Sequence, residues 1–349
     1  MVWLPSHGAN LMTDAHQESL SAFIEPVDAG AHVTAAAFLG ETAAFALGDG
    51  AVVMARGGET ARFDVHPGSS ILVAAADPDG ASLLTGGDDG RVVRIAADQW
   101  SEELGNTGGA WIDAVAAGPA GAVAWSAAKN VTARDARGWQ ASVEFPTTVR
   151  GLAFAPKGFQ LAAAHYDGAT LWFPRAVATP KQLVWKGSHI GVTWSHDGRF
   201  VVTSMQENAL HGWRVADSGH MRMTGYPSKT RSWSWSRDGK WLATSGADAA
   251  VIWPFATRDG PMGKPPVELG LRPSRVSHVA FHPRTDVLAI GYDDGGILLV
   301  RMEDSGELLA RHPAAEGGEV TALAWDAPGG SLAFGTAAGS AGVLTLPKG

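Results

Sequence analysis

A short segment recurs eight times along the chain of 349 residues, and this repeat limits the possible folds more than any other feature. Each copy has six residues and ends with an aromatic residue or Ala, and six of the eight begin with Val or Ile. Successive copies begin 37 to 46 residues apart, at 33–38, 71–76, 112–117, 149–154, 189–194, 230–235, 276–281 and 320–325. This spacing predicts one supersecondary unit per copy, each stacked on the next.

Turn signals divide each unit into short strands. A first turn such as Asp197-Gly198 or Asp238-Gly239 follows the recurring segment, and a second turn such as Asp167-Gly168 or Asp294-Gly295 follows the next apolar run. Asp-Gly between apolar runs favours tight hairpins. The runs alternate with period two, which excludes pairs of helices, and a third and a weaker fourth strand complete the unit. Four antiparallel strands in about 40 residues are typical of a β-propeller blade.

We therefore predict an all-β, single-domain propeller over residues 19–349, preceded by a tail at 1–18. The chain supplies eight repeats, but the last has room for only three strands. Residues 21–27 are expected to provide its missing outer strand, so that the two ends of the chain close the ring. Eight four-stranded blades are expected. The alternative is a seven-bladed ring in which the first or the third repeat is not a true blade.

The sequence resembles the WD-repeat propeller family. The Gly-His signature of that family is matched loosely by Ala31-His32 and Ser188-His189, and its Trp-Asp dipeptide is reduced to a single Trp at positions such as Trp172 and Trp213. The resemblance implies that His32 and His189 join hydrogen-bond networks inside their blades. It also implies a rigid, non-enzymatic scaffold that binds other proteins.

Composition limits the classes of partner and the cell compartment that we expect for this protein. The net charge is −8, from 27 Lys and Arg against 35 Asp and Glu, which argues against a nucleic-acid groove. The chain has no cysteine, no Lys or Arg before Arg56 and no apolar run long enough to cross a bilayer. We expect a monomeric cytoplasmic protein with no cofactor, no nucleic-acid partner and no membrane contact.

No motif of a phosphate loop, a zinc protease or a serine hydrolase occurs. The alternative to a scaffold is a metal-linked site, for which His165, His189, His211 and His220 are candidate zinc ligands because they fall in consecutive repeats. Another alternative is a small-ligand or glycan site at the channel mouth. It would use tryptophans outside the core register, among them Trp100 and Trp111.

Partner binding is predicted on the face that carries the loops before the first strands and the loops between second and third strands. Tyrosine and tryptophan dominate interface hot spots, and all three tyrosines fall in these loops. Repeats five and six also replace the initial Val or Ile by His189 and Thr230, with charged residues beside them. The predicted partner-binding residues are Tyr166, Tyr226, Tyr292, His165, His189, Gln206, Glu207, Lys229, Arg231 and Trp233. The expected ligand is a protein or peptide.

Overall fold

The computed structural model describes residues 19–177, 179–314 and 317–347, and the predicted tail 1–18 lies outside the described residues. A 3-10 helix (Leu20–Phe23) and strand β1 (Ile24–Asp28) precede the repeats. The first half of the chain then forms β2 (Val33–Leu39), β3 (Thr42–Leu47), β4 (Ala51–Arg56), β5 (Glu59–Asp64), β6 (Ile71–Ala76), β7 (Ser82–Gly87), β8 (Arg91–Ala96), β9 (Ser101–Asn106), β10 (Ala114–Ala117), a 3-10 turn (Pro119–Gly121), β11 (Val123–Ala127), β12 (Asn130–Arg134), β13 (Gln140–Glu144), β14 (Gly151–Phe154) and β15 (Leu161–Trp172).

The second half continues the same pattern of short strands. Its elements are β16 (Lys181–Trp194), β17 (Phe200–Met205), β18 (Ala209–Arg214), β19 (His220–Met223), β20 (Trp233–Trp235), β21 (Trp241–Thr244), β22 (Ala250–Pro254), β23 (Val267–Leu269), β24 (Val276–Phe281), β25 (Val287–Tyr292), β26 (Ile297–Arg301), β27 (Glu307–Arg311), β28 (Val320–Trp325), β29 (Ser331–Thr336) and β30 (Ser340–Thr345). None of the helices in the described part has the length or the apolar character needed to span a bilayer.

The strands form seven antiparallel sheets that follow one another around the propeller. Six sheets have four strands, and the seventh has six, in the order β14-β15-β16-β17-β18-β19. The number of sheets corrects the expectation of eight separate blades and equals that of the alternative. The reason differs from the one expected, because repeats one and three each form a complete four-stranded sheet, β2–β5 and β10–β13.

Repeats four and five share the six-stranded sheet because β16 continues from one repeat into the next. Its first residues pair with β15, from Lys181 opposite Leu171 to Val184 opposite Gly168. Its last residues pair with β17, down to Trp194 opposite Val201. β16 therefore supplies both the outer strand of repeat four and the inner strand of repeat five, with Gly187, at a φ of +122°, between the two parts, and all eight predicted repeats contribute strands to the ring.

The N-terminal strand closes the ring as predicted. β1 pairs antiparallel with β30, from Ile24 opposite Leu344 to Asp28 opposite Ser340, and so completes the sheet of repeat eight. The strand begins at 24 rather than 21 because residues 20–23 form the 3-10 helix. Pro26 is tolerated because β1 is the outermost strand, where one edge of the backbone has no strand partner.

Neighbouring repeats pack through the initial Val or Ile of the recurring segment. A Cβ on Gly86 would lie 2.5 Å from Ile112 of the next repeat, and one on Gly291 would lie 2.5 Å from Val320. In seven repeats the second-strand residue at this register position is small, namely Ala46, Gly86, Ser126, Ala164, Ser204, Gly291 and Gly335. The small residue leaves room for the branched side chain that follows around the ring.

Side-chain hydrogen bonds also join the first strands of neighbouring repeats. The Oγ1 of Thr321 donates to the backbone oxygen of Val33 at 2.6 Å, across the point where the ring closes. At the other end of these strands, the Nε1 of Trp194 donates to the backbone oxygen of Ala153 at 3.1 Å. Trp325 makes the equivalent bond to the preceding repeat. These bonds satisfy polar groups and also hold adjacent repeats in register.

Six tryptophans that end first strands or lie in third strands are in the packed interior or at its edge. Four are buried, and Trp235 and Trp325 are half-buried; the buried ones are Trp172, Trp194, Trp213 and Trp253. Second strands such as β3, β7 and β17 are buried along their whole length. The sheets therefore form a stiff frame that positions the loops.

Deletion of residues 1–28 should lower the melting temperature by several degrees or cause aggregation. It removes the strand that pairs with β30 together with the buried side chains of Leu20 and Val27, and so uncovers core residues of the same clusters, such as Leu344 and Ala341. Thermal unfolding followed by circular dichroism measures the effect. Deletion of residues 1–18 alone is the control, since it leaves every described contact in place. A melting temperature unchanged by the longer deletion would refute closure by β1.

Candidate functional site

A cavity of about 300 Å³ lies where loops from repeats five to eight meet. Loops that precede first strands contribute one part of its wall, and turns between second and third strands contribute the other. The lining residues are Asn208, Pro227, Ser228, Lys229, Arg231, Ser245, Arg275, Val276, Ser277, Asp293 and Glu319. We call it the loop-face cavity. It brings the two kinds of loop together on one face, and it includes Lys229 and Arg231 from the predicted set.

Backbone hydrogen bonds to side chains fix the loop before β20. The Oγ of Ser245 accepts from the backbone N–H of Arg231 at 3.2 Å and from that of Ser232 at 3.1 Å. Ser228 donates from both its hydroxyl and its backbone N–H to the oxygen of Gly246, at 2.9 and 3.2 Å. The residues that flank Lys229 are thus held against the neighbouring turn, which limits the entropy lost on binding.

The charged side chains that line the cavity include more cations than carboxylates. Three cations, Lys229, Arg231 and Arg275, face two carboxylates, Asp293 and Glu319. Arg231 of repeat six and Glu319 of repeat eight form an ion pair at 3.6 Å in which the Arg231 side chain is 68% exposed. Asp293 accepts a hydrogen bond from the backbone N–H of Arg275 at 3.1 Å. Within the described ranges, no ion pair engages the side chains of Lys229 or Arg275.

The three tyrosines occupy different environments. Tyr166 is 56% exposed, whereas Tyr226 and Tyr292 are only 7% and 3% exposed. The hydroxyl of Tyr226 hydrogen-bonds to Thr244 Oγ1 at 2.7 Å and accepts from Trp253 Nε1 at 2.6 Å. Tyr292 donates its hydroxyl to the backbone oxygen of Gly270. Burial removes Tyr226 and Tyr292 from the candidate surface, and Tyr166 does not line the loop-face cavity.

The predicted histidines are also buried. His165 pairs with the backbone oxygen of Tyr166 and with Thr170, each at 2.7 Å. His189 pairs with Thr203 Oγ1 at 2.7 Å and the Trp185 backbone oxygen at 2.9 Å, which is the internal network implied by the resemblance. His32 is exposed. The structural roles of His165 and His189 therefore remove both from the candidate surface.

The remaining predicted residues lie near the cavity without lining it. Gln206 and Glu207 are exposed in the turn before Asn208, and Glu207 accepts a hydrogen bond from the backbone N–H of Ser188 at 3.0 Å. Trp233 is half-buried, and its ring lies over Gly191 of repeat five. It packs between repeats rather than toward the loops.

Sequence reasoning missed Arg275, Asp293 and Glu319. Arg275 and Glu319 could have been predicted from the sequence. Lys229, Arg275 and Glu319 each come directly before the first residue of the recurring segment, in repeats six, seven and eight. Comparing that position across the repeats would have placed these three side chains around the same part of the ring. Asp293 belongs to an Asp-Asp pair in a hairpin turn, where only the fold shows which carboxylate faces the cavity.

A second cavity, of about 410 Å³, lies at the opposite ends of the first strands. Of the described residues that line it, His196 is the only titratable one. The others are apolar or small, and they include Phe154, Trp194 and Trp235. Trp100 and Trp111 are exposed but line neither described cavity. The described lining of this cavity therefore contains no pair of acid and base side chains.

Three of the histidines proposed as zinc ligands come together, but by ring packing: His211 and His220 are stacked, and His189 lies edge-on to His211. His211 lies 4.1 Å from Trp185 and 5.3 Å from His220, measured between ring centroids, with small interplanar angles. His189 lies 6.5 Å from His211. Within residues 19–177, 179–314 and 317–347, no three His, Asp or Glu side chains are placed to share one metal ion.

His211 is fully buried, and neither ring nitrogen has a hydrogen-bond partner among the described residues. Burial, reinforced by positive charge on His220, His189 and Arg222, lowers its pKa to about 3. The unfolded chain, where the histidine pKa is about 6.5, binds this proton more readily. Stability is therefore complete above about pH 6.5 and is lost as the pH falls toward 3.

Replacing His211→Phe should flatten this acid dependence while keeping a stacked ring. Below about pH 6.5 the wild-type free energy of unfolding should fall, relative to the variant, by up to about 1.4 kcal/mol per pH unit. Urea unfolding at about pH 7.5, 6.5 and 5.5 measures the difference, with His211→Leu as a second, smaller replacement. Identical pH profiles for wild type and both variants would contradict a buried neutral His211.

Comparisons with known proteins agree with this architecture. The WD domain, G-beta repeat family matches residues 57–93 and 219–253, and the Anaphase-promoting complex subunit 4 WD40 domain family matches 274–349. Protein HIR1 of Cryptococcus neoformans var. neoformans serotype D, in two strains, is 25% identical over 190 residues, which are 45% of this chain. The chain spans about a fifth of the length of these curated relatives, since the match covers 21% of them.

Solved structures share the fold over nearly the whole chain. The computationally designed Ika8 protein has a TM-score of 0.70 and 18% identity, covering 93% of this chain and 98% of its own. A chain of the Mitotic Checkpoint Complex has a TM-score of 0.63 and 14% identity, covering 99% and 97%. Together with the eight repeats and the closed ring of sheets, the family matches show that this chain is a WD-repeat β-propeller.

Proposed function

We propose that the chain is a non-enzymatic scaffold that binds a protein or peptide on its loop-bearing face, at the loop-face cavity. The observation that carries the proposal is the cavity itself, where loops from repeats five to eight present Lys229, Arg231 and Arg275 on a rigid frame. Charged loops that a stiff ring already holds in place lose little conformational entropy when they bind a partner. The assignment of a face rests on this geometry.

Two further observations support a protein partner over other ligands. The net charge of −8 disfavours nucleic acid, and the cavity walls carry no aromatic side chain on which a base could stack. The similar proteins named above include a subunit of the anaphase-promoting complex and a chain of the Mitotic Checkpoint Complex, both of which are multiprotein assemblies by name. We extend the proposal to a monomeric, cytoplasmic scaffold.

The double charge reversal Lys229→Glu with Arg231→Glu should reduce recovery of the main partner at least about tenfold. The variant replaces two of three cations and leaves the Arg231 position beside Glu319 with like charge. The measurement is affinity purification from the native cell with quantitative mass spectrometry.

The matched control reverses two exposed cations in first turns, Lys157→Glu with Arg237→Glu, at the opposite ends of the first strands. It changes the net charge equally and should leave the partner bound. Melting temperatures of both variants establish that the ring is intact. Full recovery of the partner by the loop-face variant would refute this site, as would equal losses from the two variants.

A further inference from the structure

We infer that the loop-face cavity accepts the carboxylate of an Asp or Glu side chain from an acidic peptide segment of the partner. The inference rests on the proposed function and names the chemistry of its ligand. It depends on the charge balance, size and rigidity of the cavity rather than on the fold.

The charge balance favours a single negative charge. Lys229, Arg231 and Arg275 carry three positive charges against the two negative charges of Asp293 and Glu319, which leaves an excess of one. A monoanionic carboxylate neutralises this excess. A phosphate dianion would overshoot it and would also face repulsion from both resident carboxylates, so the cavity favours a carboxylate over a phosphoryl group.

The cations can reorganise toward a ligand at little cost. The Arg231–Glu319 pair spans 3.6 Å and is exposed, and such pairs contribute little to stability. Lys229 is half-buried and has no ion-pair partner in the described part of the chain. The guanidinium of Arg275 is likewise unengaged there, while its backbone is held by Asp293. Arginine forks bind carboxylates bidentately, so these groups suit such a ligand.

The size of the cavity limits the ligand to a side chain. A volume of about 300 Å³ is at the lower end of ligand pockets. It can hold an acidic side chain together with some water. Two of the three seryl hydroxyls in the wall already donate to backbone oxygens, Ser228 to Gly246 at 2.9 Å and Ser277 to Val320 at 2.7 Å. The cations are therefore the main source of selectivity for an anion.

The excess of cations at the cavity contrasts with the net negative charge of the whole protein. The protein as a whole carries −8, so an acidic peptide is repelled by most of its surface and attracted only where cations are in excess. Single-stranded nucleic acid would instead need a continuous basic groove with stacking aromatics. The lining of this cavity offers neither, and an acidic peptide is the favoured partner.

The test is binding of a rhodamine-labelled hexaglutamate peptide to the full chain by fluorescence anisotropy at about 50 mM salt. Wild type should bind it, and Lys229→Gln with Arg275→Gln should weaken binding at least about tenfold. The control Lys157→Gln with Arg237→Gln removes the same charge elsewhere and should change affinity less than about twofold. Hexalysine, a phosphoserine peptide and a short oligothymidine serve as competing probes.

The outcomes separate the inference from the proposed function. Saturable hexaglutamate binding that only the cavity variant loses supports the inference. No binding by wild type, equal losses in both variants, or tighter binding of the phosphoserine peptide or oligothymidine overturns it. If the cellular partner is lost on charge reversal while hexaglutamate fails to bind, the docking face stands and the acidic ligand does not.

Discussion

The ring depends on the packing of the branched side chain that begins most of the repeats against a small residue of the repeat before it. Gly86 against Ile112 and Gly291 against Val320 show the contact most clearly, because any Cβ on either glycine would clash. The contact recurs around the ring and is sealed where Gly335 meets Val33 and where β1 joins β30. Each repeat contacts mainly its two neighbours. In a closed ring no repeat has an uncovered face, so every interface between repeats stabilises the same cooperative unit.

The candidate site follows from this frame. Repeats five and six depart from the apolar column with His189 and Thr230, and the loop-face cavity begins beside them. His189 offsets its burial with two hydrogen bonds, whereas the buried Oγ1 of Thr230 has no hydrogen-bond partner in the described residues. The cavity thus lies in the sector where polar groups replace apolar packing. Its walls come from four consecutive repeats, so it depends on the packing between those repeats.

Much of the fold could be predicted from the sequence, because periodic spacing and Asp-Gly turns are local signals. The merged sheet of repeats four and five was not predictable, since nothing in residues 181–194 signals that one strand serves two repeats. The site prediction failed for two tyrosines because the sequence does not show which side chains are buried: Tyr226 lies between strands and Tyr292 ends β25, and both turn inward to hydrogen-bond partners. Lys229 and Arg231 were found because they adjoin a register position, and Arg275 occupies the same register in the next repeat.

Hydrogen–deuterium exchange with and without the captured partner tests the central claim most directly, because it reports which face the partner covers. The account predicts slower exchange of amides in 227–231, 274–277 and 317–319, the loops around the cavity. It predicts no change in the first turns at 196–199 and 237–240 on the opposite face. Protection confined to those turns, with unchanged exchange around the cavity, would contradict the account.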